Sequence, residues 1–504
     1  MEHRRPVPAP AQKTPGAALA AQKKTAALTD QFIALFEQAR PAFSDPRVFE
    51  QARTIALAQL LCLGRHTVTG LLATCGRTEQ DWSSVYRIFE EGRVDCRRIF
   101  DVGCRAVAQR LEPSAPFVAM MDDTVIRKRG RKVAGAAWRR DPLGPAFHTN
   151  FVWGQRFLQL SAALPELPAG PGRARAIPVA FEHCPGAKKP SRRAPEPEWA
   201  EYRRQAKLVS VTRRGVEAAH RLRKQLDQDS QQNRQLILAV DGTFTNRTVL
   251  TNLPDRTTVI GRIRKDAKLF APPPVEPPRR GHPRLYGEKI PTPEEIRQDQ
   301  SMPWSTVRAF AAGRVHDFNI KTIAPCRWKN AGGRDCRVVV IRPLAYRPAK
   351  NRPLLYRNPA YLICTDPNLS LEQVVQYYVW RWEIELNFRE EKTLLGAGEA
   401  QVWVPQAVAA LPAFKVAAYA LLLLASSSRE AEKLSPLPRP RWQEKSDEQS
   451  RTTTAKLIGR LRMELWGKAL GVENNEGFVK RNRSFTKPLK IENSAPQAVI
   501  YAYR

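Results

Sequence analysis

Two short apolar runs that each end in an acid set the strongest limit on how this chain folds. They are PFVAMMDD, ending at Asp122 and Asp123, and LILAVDGTF, in which Asp241 follows Val240. Each predicts a buried strand, because consecutive apolar residues without helical spacing suit a strand covered on both faces. Between them lie two more strand patterns, NFVWGQRFLQLSAAL and AIPVAFEH, and then WAEYRRQAKLVSVTRRGVEAAHRLRKQLD, which reads as one or two helices. Three strands, a helix and a fourth strand, with carboxylates leaving the first and the fourth, predict an α/β fold.

Around that unit the pattern changes character. Apolar residues recur at three- and four-residue spacing in LTDQFIALFEQAR and VFEQARTIALAQLLCLG, so 29–112 is expected to be a helical domain. Thr29 or Asp30 can cap its first helix, and Ser44 or Asp45 the second. Its arginine content suits DNA binding, and a plain bundle with a solvated basic face is the alternative. The Ala/Pro/Lys-rich residues 1–28 predict a disordered basic arm. Residues 113–247 form the first part of the α/β core. The Pro-rich stretch 248–368 predicts a β-rich insertion, 369–433 the second part of the core with a buried C-terminal helix, and 434–504 a basic C-terminal region.

Charge narrows the partners. The 504 residues hold 82 Lys plus Arg against 49 Asp plus Glu, a formal net charge of +33. A chain this large and this basic fits a polyanion, nucleic acid first and an anionic membrane surface second. No membrane span is expected, since the uncharged run from Val416 to Ala425 falls short of the roughly 20 residues a span needs, and the segment before it is interrupted by Pro405, Gln406, Pro412 and Lys415. The first residues hold no continuous apolar core, so a cytoplasmic, nucleoid-associated location is expected. Eight cysteines occur without a Cys-x-x-Cys pair, and reduced buried thiols are the expectation. A zinc set of His316, Cys326 and Cys336 is discounted.

The most informative segment follows Ser370, which can cap a long helix with Gln373 closing a capping box. Relative to Tyr378, residues Arg381, Glu385 and Lys392 fall within about 60° on one helical stripe. Glu383, Glu390 and Glu391 point elsewhere. Spacing alone favours an ordinary surface pair between Arg381 and Glu385, which are i,i+4 partners.

Tyr-x2-Arg-x3-Glu-x6-Lys, here Tyr378, Arg381, Glu385 and Lys392, resembles the signature of bacterial insertion-sequence transposases with a DDE active site, a cut-and-paste group. The resemblance spans roughly residues 115–405. It implies a ribonuclease-H-like catalytic core with a β-rich insertion. It also implies that Glu385 is the third metal-binding carboxylate and that Tyr378, Arg381 and Lys392 contact DNA phosphates. The first carboxylate is then Asp122, in the Asp-x-Thr context of Asp122-Asp123-Thr124, with Asp123 as the alternative, and the second is Asp241. Two Mg²⁺ ions, for which Mn²⁺ can substitute, are the implied cofactors. The implied partners are double-stranded DNA, as element ends and target, and a second copy of the chain in a homodimeric DNA complex.

The chemistry accounts for the residue types. Attack on a phosphodiester needs charge neutralisation at a phosphorus shielded by anionic oxygens, and two divalent ions held by carboxylates supply it. The expected function is a transposase that binds terminal inverted repeats, cleaves the ends and joins them to a target. The alternatives are a domesticated nuclease that cuts without transposing and a non-catalytic DNA-binding regulator. RKRGRKVAGAAWRR places Arg127, Lys128, Arg129, Arg131 and Lys132 directly after the first acids, as a phosphate-binding turn, with a solvated hairpin as the alternative. Residues 201–224 and KRNRSFTKPLK add further basic clusters. Trp153 and Trp328 are expected in the core, base stacking being the alternative for Trp328, and Trp380 and Trp382 are expected to anchor their helix to the sheet.

Overall fold

The computed structural model describes residues 27–466 apart from 80, 142–143, 145–147, 167–169, 275–281, 283, 348–351, 429–436 and 438–450. The expected basic arm and the cluster KRNRSFTKPLK lie outside the described residues, as does most of the 434–504 segment.

The chain begins with five helices, α1 (Leu28–Glu37), α2 (Pro46–Leu61), α3 (Val68–Thr74), α4 (Ser83–Glu90) and α5 (Cys96–Arg110). Asp45 caps α2, its carboxylate accepting from the amides of Arg47 and Val48, with Pro46 preset in the first turn. Neither Thr29 nor Asp30 caps α1. Its free amides at Leu28 and Thr29 instead donate to Glu464, at 3.1 and 2.8 Å. A distant carboxylate does the work of a local cap, and no local pattern could announce it.

The α/β unit follows as β1 (Phe117–Arg127), β2 (Ala137–Arg140), β3 (Phe151–Pro165), β4 (Ala174–His183), α6 (Glu196–Leu208), α7 (Val211–Gln228) and β5 (Leu236–Val240). β3 pairs antiparallel with β1 and β4, and β1 pairs parallel with β5. The first strand does not end at its acids. β3 carries β1 on to Arg127, whereas the parallel pairing with β5 stops at Met121↔Val240. Asp122 and Asp241 therefore each follow directly on the last paired residues of neighbouring strands, about 4.8 Å apart.

The stretch after β5 contains α8 (Arg247–Leu250), β6 (Thr257–Arg262), β7 (Leu269–Phe270), β8 (Lys289–Ile290), α9 (Pro293–Gln298), β9 (Ser305–Ala311), β10 (Arg314–Trp328), β11 (Asp335–Ile341), β12 (Ala345–Tyr346), β13 (Leu355–Tyr356) and β14 (Ala360–Cys364). It is β-rich, yet most of it extends the first sheet rather than forming its own. β6 lies parallel to β5, and β14 pairs antiparallel with β6 and with β11. A single twelve-stranded sheet results, with the small β12–β13 hairpin apart from it. Cys326 and Cys336, named above in the discounted zinc set, are buried free thiols opposite each other across β10 and β11.

Four helices complete the described chain: α10 (Leu371–Trp380), α11 (Trp382–Thr393), α12 (Pro405–Ser426) and α13 (Thr454–Trp466). α12 runs unbroken through Pro412, and from Leu411 to Ala425 every residue is buried. By length and composition it is the one described helix apolar enough to cross a membrane. Here it is the central core helix, packed against β4, α1 and α5. Its Lys415 is fully buried, and the ammonium donates to the carbonyls of His66 and Gly396 at 2.6 and 2.9 Å. The N-terminal helices, the sheet and α12 share one continuous apolar core.

Candidate active site

The helix expected after Ser370 is two helices. Ser370 caps the first, accepting from the Gln373 amide at 3.2 Å, but Gln373 reaches Tyr377 instead of closing a box. At Arg381 the turns tighten, with Arg381 N bonded to Tyr378 O and Ile384 N to Arg381 O. Three-residue hydrogen bonds of this kind mark a local break in α-helical geometry.

Despite the break, the signature residues converge on β1. Arg381 Nη1 lies 3.2 Å from Asp122 Oδ2, and its Nη2 lies 3.2 Å from Glu385 Oε1. The guanidinium also sits 5.9 Å from the Tyr378 ring centroid. Lys392 Nζ donates to Thr124 Oγ1 at 2.6 Å, two residues along β1 on the face that carries Asp122. Thr124 is a site residue that the Asp-x-Thr context contained without revealing what it would touch. The other acids of the helix do point away: Glu383 pairs with Arg451, Glu390 accepts from Tyr419 and Thr454, and Glu391 is buried.

Adjacent Asp122 and Asp123 are told apart by their partners. Asp123 is held by both arms of Arg156, at 2.6 and 2.8 Å, a bidentate pair that occupies both its oxygens. Asp122 faces Arg381 and the charge of Asp241. Burial, and then the repulsion of Asp241, push the Asp122 carboxyl up to about 7, against the opposing pull of Arg381. Asp241 opens a turn in which its carboxylate accepts from the Thr243 amide and hydroxyl at 2.9 and 3.0 Å.

Basic groups surround the acids. An open groove of about 1090 Å³ begins beside Asp241 at Gly242 and is lined by Arg262, Lys265, Trp328 and the ion pairs Arg264–Asp266 and Arg297–Glu294. Trp328 thus only partly packs on the core, and part of it borders this groove. In the turn after β1, Arg129, Arg131 and Lys132 are exposed, and Arg127 pairs with Asp141 at 2.8 Å. Lys128 is half-buried and donates to the Gly398 carbonyl at 3.1 Å, and burial pushes its amine down to about 8.

The tryptophans divide differently from expectation. Trp380 is buried and bonds the Gly172 carbonyl at 2.9 Å, as an anchor should. Trp382 is 58% exposed, because two helical steps turn it about 200° from Trp380. Trp153 pairs with Trp138 of the short β2 on one side, its carbonyl accepts from the Lys128 amide just past β1 on the other, and its ring is partly exposed rather than core.

Among the described residues no three His, Cys, Asp or Glu side chains gather closely enough to share one metal ion. The cationic group found between Asp122 and Glu385 is the Arg381 guanidinium. Carboxylates that hold a guanidinium in this way are hard-oxygen donors suited in kind to a divalent cation.

No curated protein is significantly similar to the chain. A family profile described as DDE superfamily endonuclease matches residues 40–330, a span that includes Asp122 and Asp241 and ends before Glu385. Endonucleases of that kind act on DNA and generally use divalent metal ions. The match covers more than half of the chain, and on that ground the protein belongs to the DDE superfamily endonuclease family.

Proposed function

We propose that this protein is a cut-and-paste DNA transposase with a ribonuclease-H-like catalytic core. It binds terminal inverted repeats, hydrolyses the phosphodiester at each end and joins the ends to target DNA. The observation that carries the reading is the meeting of Asp122 and Glu385 on one guanidinium, with Asp241 close enough to raise the Asp122 carboxyl. The strand order β4-β3-β1-β5-β6, antiparallel on one side of β1 and parallel on the other, supports the fold assignment.

Asp122, Asp241 and Glu385 would hold Mg²⁺, or Mn²⁺ in its place, and two such ions would activate the attacking hydroxyl and neutralise charge at phosphorus. The protein's own groups do the rest. Arg381 and Lys392 grip phosphates beside the scissile bond, and Tyr378 packs against Arg381. The turn residues Arg127, Lys128, Arg129, Arg131 and Lys132 hold the flanking backbone without reading sequence. The working assembly is a homodimer on paired ends, in the cytoplasm on the nucleoid.

Incubating the protein with Mg²⁺ and a labelled duplex that carries its own element end tests this reading. Strand cleavage at the end, followed by joining to a second duplex, is the expected result. Cleavage without joining would reduce the protein to a nuclease, and no cleavage at all would remove the catalytic assignment.

A further inference from the structure

The hairpin that follows β1 carries a cluster for which the cleavage chemistry has no use. Trp138 on β2 sits directly opposite Trp153 on β3, and the next pair on the same face is Arg140 opposite Phe151. Trp138 is 56% exposed and Phe151 60% exposed. The two indoles meet edge to face at 5.7 Å, and the Arg131 guanidinium lies 5.0 Å from one ring centroid and 5.3 Å from the other.

This surface is braced, not loose. Trp153 Nε1 donates to the Gly130 carbonyl at 3.0 Å, and Gln155 Nε2 to the Ala134 carbonyl at 2.8 Å. Gly154 lets β3 approach β1 so closely that a Cβ there would meet the Ile126 carbonyl oxygen at 2.6 Å. Gly135, at φ +70°, seats the turn against His183. Exposed aromatic rings on a rigid frame cost little further ordering when a ligand stacks on them.

Charge and position select the ligand. Residues 127–141 hold seven Lys or Arg and a single acid, Asp141, which is already paired with Arg127. The unbroken β1–β3 and β2–β3 registers put Trp153, Trp138 and Phe151 on the face that carries Asp122 and Thr124. Counting strand rise from Gln159, which sits opposite Asp122, the Trp138–Trp153 pair lies about 20 Å and Phe151 about 27 Å along the sheet from Asp122. Duplex DNA presents phosphates to such a surface but keeps its base faces stacked, so it uses the arginines and leaves the rings idle. Unpaired nucleotides use both.

We propose that the Trp138–Trp153–Phe151 face binds unpaired nucleotides of the DNA substrate, with bases stacked on the exposed rings and phosphates held by Arg129, Lys132 and Arg140. The proposal rests on the DNA-cleavage reading and deepens it by naming a single-stranded segment as part of what the site grips.

The test compares two probes on the full chain without divalent metal: a blunt duplex, and the same duplex with an eight-nucleotide thymidine tail. Fluorescence anisotropy reads affinity, and tryptophan emission reads stacking. The wild type is expected to bind the tailed probe at least about tenfold more tightly, with quenched emission. Trp138→Ala and Phe151→Ala should each lose most of that preference and keep blunt-duplex affinity, whereas Trp138→Phe should retain it. Equal affinity for the two probes in the wild type overturns the platform and leaves the DNA reading standing. So does an equal loss on both probes in Trp138→Ala while Trp138→Phe binds normally. Failure to bind either probe removes the DNA reading itself. Self-association of the free protein that disappears in Trp138→Ala, without any tail preference, assigns the face to a second copy and overturns the proposal.

Discussion

Arg381 Nη1 lies 3.2 Å from Asp122 Oδ2, a contact between residues 259 positions apart in sequence. The same guanidinium reaches Glu385, so one fixed positive charge balances two carboxylates drawn from a strand and a helix. Both the Arg381 and the Asp122 side chains are largely shielded, at 12% and 17% exposure, so this arrangement differs from an ordinary surface pair. It sets what the site should do when its charges are changed.

Replacing Asp122, Asp241 or Glu385 by alanine is expected to abolish metal-dependent cleavage while sparing duplex binding. Each loss removes one oxygen donor, and none removes a phosphate contact. Binding at low salt should if anything tighten, since a negative charge leaves a basic surface. A single-acid variant that cuts at near wild-type rate would strip that residue of its role.

Metal binding should strengthen as pH rises through 7. Below that value the Asp122 carboxyl, pushed up to about 7, is protonated and gives an ion little to hold. Metal-free stability should change in the opposite direction. The folded state keeps a proton that the unfolded state releases near 4, so stability falls as pH climbs from about 4 to 7. The rise in melting temperature on adding Mn²⁺, taken at pH 6, 7 and 8, should grow across the series in the wild type and stay flat in Asp122→Asn.

Arg381→Ala should lose cleavage by orders of magnitude and also lower metal-free stability by about 1–3 kcal/mol, because the shielded Asp122 carboxyl loses its partner, while the more exposed Glu385 is compensated by water. An exposed i,i+4 pair alone is worth only about 0.3–0.5 kcal/mol. Adding Ca²⁺ should restore much of the melting temperature without restoring cleavage. Lys392→Ala, which gives up a hydrogen bond to Thr124 and an approach of 5.9 Å to the Phe388 ring, should cost little stability and much activity. Unchanged cleavage in both variants would leave these residues as structural pairs.

Duplex affinity should fall steeply with salt, log K dropping by about 0.9 for each phosphate neutralised. Titrations between dilute and physiological buffer measure the slope. Arg129→Ala and Lys132→Ala should each reduce it by roughly one phosphate, and a flat wild-type response would count against any DNA function.

Glu391 offers a control inside the core. It is fully buried, its carboxyl is pushed up to about 8 by burial, and Oε1 has no hydrogen-bond partner. Between about 4.5 and 8 the folded state holds a proton that the unfolded state has lost, so stability declines across that window. Glu391→Gln carries no such burden. Its melting temperature relative to wild type should rise between pH 5 and pH 9, by on the order of a few degrees.

Much of this architecture is legible in the chain because the relevant signals are local. The apolar runs before Asp122 and Asp241 mark buried strands, and the α7 segment shows its helical period. The spacing of Tyr378, Arg381, Glu385 and Lys392 survives even the break at Arg381, since one tightened turn rotates the later residues too little to carry them off β1. The net charge of +33 needs no structure to suggest a polyanion.

What the sequence left open are the choices that depend on distant partners. Asp122 and Asp123 are identical neighbours on paper. Strand alternation sends them to opposite faces, and only the placement of Arg381 and Arg156 shows which one meets Asp241. The break between α10 and α11, the exposure of Trp382 and the capping of α1 by Glu464 belong to the same class. So does the continuation of the sheet from β6 into β14, more than ninety residues later, which joins the β-rich stretch to the first sheet. Periodicity records which faces of an element are apolar, and so it determined the elements and the order of the acids. Register, helix placement and long-range pairing minimise exposed and unpaired groups over the whole molecule at once, so only the tertiary structure decided which acids share a cation and which aromatic rings face solvent.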